Sequence, residues 1–126
     1  MPIARRLFLA GCLVACPLAA AVAAGFDRTA FDAARAAGRT VVVEVHAAWC
    51  PTCRAQAPVL TELMAEPACK DAARITVDFD ADKDVLRELG VRQQSTLIVF
   101  KGETEKARAV GITDPVAIRA LLEQGL

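Results

Sequence analysis

The chain has no tyrosine, one tryptophan, one histidine and two methionines among its 126 residues. So few aromatic side chains offer no platform on which bases could stack, and no run of lysine or arginine is present to follow a phosphate backbone. A nucleic-acid partner is excluded on both grounds. Charge of one sign is also missing, since 15 basic residues face 15 acidic ones. Internal repeats are absent, and the only biased tract is an alanine-rich N-terminus. Zinc at a pair of cysteines would need two further ligands; only His46 and Cys69 are candidates and no second close pair exists, so the chain reads as having no metal site. A structural disulfide framework is excluded too. Of five cysteines, Cys12 and Cys16 lie in the apolar N-terminus, which leaves Cys50, Cys53 and Cys69, one close pair plus a singleton.

What is present begins with an export pattern. Met1 to Arg6 carries two arginines, Leu7 to Ala24 carries no charge, and Ala21-Val22-Ala23 offers cleavage after Ala23 or Ala24. Residues 1–24 are expected to be a cleaved signal peptide and residues 25–126 one domain, of a size that can bury a single core. Loss of Arg5 and Arg6 leaves 13 basic against 15 acidic residues, about −2. Two other readings stay open. Leu13-Val14-Ala15-Cys16 resembles a lipobox, which would anchor the chain through Cys16; Leu9-Ala10-Gly11-Cys12 does as well, with too short an apolar stretch before it. Leu7 to Phe26, 20 uncharged residues, would just span a bilayer as an uncleaved anchor. All three place the domain outside the cytoplasm, and the short two-arginine leader points to a periplasm.

Along the domain, Phe26–Ala37 reads as a helix capped by Asp27 or Thr29 and ended by Gly38. Thr40–Ala47 is a near-continuous β-branched run, the pattern of a strand buried on both faces. Cys50–Ala65 reads as a helix with Pro51 in its first turn and a kink at Pro58. A short helix over Pro67–Ala73, a strand over Arg74–Asp80 and a helix over Asp82–Leu89 follow. Strands over Thr96–Lys101 and Ala107–Gly111 turn at Gly102-Glu103, and a last helix starts at Asp114-Pro115. A helical crossover makes the first two strands parallel, and the last two form a hairpin. The expected fold is α/β, a mixed sheet of about four strands with helices on both faces.

The chemistry concentrates in Trp49-Cys50-Pro51-Thr52-Cys53, where the first strand gives way to a helix. Two thiols two residues apart at such a junction come within disulfide range, and the first sits at a helix N-terminus that favours its thiolate. Preceded by Val43-Glu44-Val45-His46 and followed by Pro58 and by Val91-Arg92-Gln93-Gln94-Ser95-Thr96-Leu97-Ile98-Val99-Phe100-Lys101-Gly102, this pair resembles the thioredoxin superfamily over Phe26 to Gln124. Pro51-Thr52 is similar to the dipeptide of cytochrome c maturation thioredoxins. The compact domain and its Pro67 region look more like the C-terminal domain of membrane thiol-disulfide interchange reductases.

The resemblance implies a thioredoxin fold and roles for individual residues. Cys50 attacks a partner disulfide, and Cys53, the more buried thiol, resolves the mixed disulfide. Trp49 shields the pair and joins the docking face. Glu44, a carboxylate in an apolar strand, matches the acidic residue that assists proton transfer at the second cysteine; otherwise its side chain reaches solvent. The lysine usual near that carboxylate falls on Thr76, so Glu44 is expected to lack a cationic neighbour and to favour its protonated form. His46 either stabilises the Cys50 thiolate as imidazolium or replaces an aromatic residue with no redox role. Ser95 stands where the family has a cis-proline, so Gln94–Ser95 is either trans in a reshaped loop or cis under strain, and its Oγ is placed to bond a sulfur. Gln93, Gln94, Ser95 and Thr96 are expected to form the docking loop. Cys69 reads as a buried, inert thiol.

The expected function is that of a periplasmic thiol-disulfide oxidoreductase. It would act as a reductase passing electrons from a transmembrane thiol-transfer partner to protein disulfides, as a monomer and with no cofactor beyond Cys50 and Cys53. Two alternatives stand beside it. One is a disulfide oxidase or isomerase; the other is a non-catalytic module that docks protein or holds a metal at the dithiol.

Overall fold

A computed structural model describes residues 25–126. The expectations for the export segment, for Cys12 and Cys16 and for the cleavage position fall outside the described residues. Four helices and four strands follow one another as α1 (Arg28–Ala36), β1 (Thr40–His46), α2 (Pro51–Met64), β2 (Ala73–Asp78), α3 (Lys83–Glu88), β3 (Thr96–Lys101), β4 (Thr104–Val110) and α4 (Pro115–Glu123). The expected short helix after α2 is a single 3-10 turn, Pro67–Cys69.

The sheet order is β2-β1-β3-β4. β1 runs parallel to β2, with Glu44 opposite Thr76, and antiparallel to β3; β3 and β4 form the hairpin. Period-2 alternation divides the apolar strands between two cores. Val41, Val43, Val45, Ile98 and Phe100 face Phe31 of α1 and Leu86 of α3. Val42, Leu97 and Val99 face Leu60 and Leu63 of α2 and Ile118 and Leu122 of α4. This two-sided burial is why β1 and β3 read as unbroken apolar runs.

Helix ends follow their local chemistry. Asp27 and Asp114 cap α1 and α4, accepting the N–H groups of Ala30 and Ala117 at 2.9 Å each. Gly38 after α1 and Gly102 in the hairpin turn have φ of +72° and +56°, the left-handed region that glycine enters without strain. β4 begins three residues earlier than expected, because Thr104, Glu105 and Lys106 are exposed and carry no apolar signal.

Candidate active site

β1 lies inside the sheet and ends at His46; the segment Ala47–Cys50 then carries the chain to the start of α2. Cys50 donates its N–H to the Ala47 carbonyl at 3.1 Å and becomes the N-cap of the helix. Its sulfur accepts the Cys53 N–H at 3.1 Å, so the thiol does the work a serine or aspartate side chain does at other helix starts. Pro51 fits the first turn because its missing N–H would have no partner there.

Ala47, Cys50 and Cys53 form a small cluster of their own, with Phe79 packed against it. Both cysteines are 1% exposed, and Cys53 lies the deeper of the two beneath the surface. No disulfide joins the two cysteines in this structure. Burial pushes the Cys50 thiol up. Hydrogen bonds from the Cys53 thiol, the Cys53 N–H, the Ser95 hydroxyl and the Thr52 N–H outweigh it and hold Cys50 below its ordinary range. Cys53 is raised by burial first, then by the hydrogen bond it gives to Cys50 and by the Cys50 charge. Its sulfur also lies 3.9 Å from the Val45 carbonyl oxygen. One thiol is poised to ionise and attack, and the other keeps its proton.

Glu44 is buried on the α2 side of the sheet, which removes the solvent-reaching reading. The expectation that it lacks a cationic neighbour is corrected. Arg74 donates from Nε to Glu44 Oε2 at 2.8 Å, and its Nη2 lies 2.7 Å from the same oxygen. Thr76 does stand opposite Glu44, but residues 74 and 76 share a face of β2, and the longer arginine reaches across from one pair away. Arg74 also bonds Thr61 Oγ1 at 2.9 Å, tying β2 to α2. Glu44 Oε1 has no partner among the described residues. His46 is half-buried at the end of β1 and, among the described residues, makes no hydrogen bond to either sulfur.

Trp49 is 55% exposed, which excludes a core role. Its ring meets Phe79 edge-on with centroids 6.4 Å apart, and its Nε1 donates to Asp80 Oδ2 at 2.7 Å. Phe79 and Asp80 were not singled out by sequence. Their signal lies in Asp78-Phe79-Asp80, directly after β2, where Asp78 Oδ1 accepts the N–H groups of Asp80 and Ala81 and folds the turn.

The loop before β3 carries the chain's clearest departure. Gln94–Ser95 is trans, and Ser95 takes φ +56°, the only non-glycine at positive φ among the described residues. Such a conformation costs about 1–3 kcal/mol for a residue other than glycine. Ser95 gives its N–H to Val45 O at 2.9 Å, takes that of Gly111 at 3.0 Å, and its hydroxyl lies 2.7 Å from Gln94 O. Gln93 is exposed and Gln94 half-buried. Thr96 is buried in β3, where its hydroxyl closes the turn on Gln93 O at 2.7 Å, so it supports the loop from beneath and offers a client no surface. Gln56 on α2 was also missed; it is fully buried and donates to the carbonyls of Ser95 and Ile112. A polar residue three positions after Cys53 on a helix face that otherwise buries leucine was the available signal.

Cys69 lies in the α2–α4 core, in a different cluster from the pair. Burial pushes its thiol up, with Glu66 adding to the effect, as suits an inert cysteine.

A sequence profile described as Thioredoxin matches residues 22–124. Thioredoxin-2 of Saccharomyces cerevisiae is 37% identical over 90 residues, covering 71% of this chain and 84% of that protein. A thioredoxin of Mycolicibacterium smegmatis is 35% identical over 89 residues, 70% of this chain and 80% of its own. Among solved structures, Trxlp from Edwardsiella tarda EIB202 superposes with a TM-score of 0.76 at 41% identity, covering 78% of this chain and 95% of that one. A helix-capping dithiol with one ionisable and one protonated sulfur is what protein-disulfide exchange needs, and with these likenesses it shows that the chain belongs to the thioredoxin family, protein-disulfide oxidoreductases that require no cofactor beyond the cysteine pair.

Proposed function

We propose that this thioredoxin is an exported, periplasmic reductase that takes electrons from a transmembrane thiol-transfer partner and passes them to oxidised protein clients. The observation that carries this reading is the coupling of a leader with two arginines and an uncharged apolar stretch to a domain with a reactive dithiol. A reductase outside the cytoplasm needs a source of electrons across the membrane. The similarity of Pro51-Thr52 to cytochrome c maturation thioredoxins, and of the Pro67 region to membrane thiol-disulfide interchange reductases, supports the same assignment.

The reaction follows from the pair. The Cys50 thiolate attacks one sulfur of a client disulfide; a Cys50–client bond forms, and the client's other sulfur leaves with the electron pair and takes up a proton. Cys53 then loses its proton and attacks Cys50 Sγ. The Cys50–Cys53 disulfide forms as the client's second thiol departs. Glu44 serves as the acceptor of the Cys53 proton. Trp49 with Gln93 and Gln94 lines the approach of the client, Ser95 faces Cys50, and Pro51 and Thr52 set the start of the helix. The donor's dithiol reverses both steps and restores the reduced pair.

The held-down Cys50 thiol also favours a second reading, a disulfide oxidase or isomerase, since a stabilised thiolate makes a pair more oxidising. Equilibration with glutathione buffers decides between them. A Cys50–Cys53 potential near about −270 mV supports the reductase, whereas one near about −120 mV overturns it in favour of the oxidase. Location is tested separately by cell fractionation and N-terminal sequencing. The expected product begins at Ala24 or Gly25 in the periplasmic fraction, and a cytoplasmic chain starting at Met1 overturns export.

A further inference from the structure

Gln56 is fully enclosed, yet its side chain is polar at both ends. Nε2 donates to the Ile112 carbonyl at 2.8 Å and to the Ser95 carbonyl at 3.3 Å, while Oε1 has no partner among the described residues. The orientation of the amide is unambiguous, because a flip would set Oε1 against two carbonyl oxygens. A buried amide with one orphaned atom is a poor choice for packing alone, and Leu60 and Leu63 fill the buried face of the same helix. The two carbonyls it reaches lie on separate segments, one entering β3 and one leaving β4.

Ser95 is the residue whose backbone most needs holding. A left-handed serine persists only where its surroundings over-determine it. Three hydrogen bonds fix its peptide groups: its N–H to Val45 O, the Gly111 N–H to its own carbonyl, and Gln56 Nε2 to that carbonyl. Only the last comes from a side chain. The Val45 oxygen is also the one the Cys53 sulfur approaches, so the turn and the pair share an anchor. We infer that Gln56 is a positioning residue for the redox pair: its buried amide ties the Ser95 turn to α2 and so holds in place the turn that shares the Val45 carbonyl with Cys53. This inference rests on the dithiol chemistry of the family and is independent of where the protein works or what reduces it.

The test uses the full chain, reduced, with the alkylation of Cys50 by iodoacetamide followed against pH by peptide mass mapping. Folding of the variant is checked by circular dichroism. In Gln56→Met the profile shifts by about one unit to higher pH, so the rate at pH 7 falls about tenfold. A wild-type profile in Gln56→Met overturns the inference. Should Gln56→Met fail to fold, hydrogen exchange in the wild type decides. The Gln56 side-chain amide protons exchange at least about 100-fold more slowly than those of exposed Gln93; equal rates overturn the inference.

Discussion

Arg74 brings its charge to a carboxylate enclosed in the middle of the sheet, and its stem makes that possible: a shorter side chain at the same position would not reach Glu44 from one register pair away. Arg74→Met therefore leaves a buried carboxylate without its cation. It is expected to destabilise the fold by about 2–4 kcal/mol, less than a fully enclosed pair would lose because the Arg74 side chain is 27% exposed. Urea unfolding checks this, and Glu44→Gln combined with Arg74→Met should recover part of the loss. The two thiols shift in opposite directions, which gives a pH signature. Cys50 is lowered, so its contribution to the reduced fold is complete above the unfolded thiol value of about 8.5 and is lost as pH falls through its folded value. Cys53 is raised, so its contribution is complete below about 8.5 and is lost as pH rises through its folded value. The stability difference between reduced wild type and a Cys50→Ala, Cys53→Ala variant should thus peak near pH 8.5. A flat difference in unfolding experiments from pH 6 to 10 would contradict both shifts. The cysteines were legible in sequence because their spacing is local. Arg74, Asp80 and Gln56 were not, since their partners lie 30, 31 and at least 39 positions away.

At the scale of elements, the caps and the loop before β3 make separate claims. Among the described residues, Asp114 is the side chain that closes the N-terminus of α4, through the Ala117 N–H. Asp114→Ala should lower stability by about 1 kcal/mol in thermal or urea unfolding. The Ser95 turn predicts the reverse of what family resemblance suggests. Proline would fit a cis-proline loop, but here φ is +56° and the Ser95 N–H is bonded to Val45 O. Proline can supply neither, so Ser95→Pro should destabilise by about 1–3 kcal/mol, while Ser95→Gly stays within about 1 kcal/mol of wild type. Urea midpoints compare the two. The helices, β1 and β3 were legible from apolar periodicity, glycine stops and caps. The first half of β4 was not, because an exposed edge strand needs no alternation to be stable once the hairpin pairs it with β3.

For the whole molecule, the sheet divides the side chains into two cores, and the redox pair occupies a third, smaller cluster at the end of β1. Cys69 belongs to the α2–α4 core, so Cys69→Ala should leave the rate of insulin disulfide reduction unchanged; a loss of rate would tie this thiol to the reaction. The sequence by itself determined the order of elements, the parallel and hairpin pairings and the Cys50–Cys53 centre, because propensity, periodicity and short-range spacing act between neighbours along the chain. Only the tertiary structure decided that Glu44 has a cation, that both cysteines are buried and that Gln56 reaches the Ser95 turn. Each of these depends on how far a side chain extends across a register or between packed layers, and such distances exist only once the sheet and helices have closed on one another.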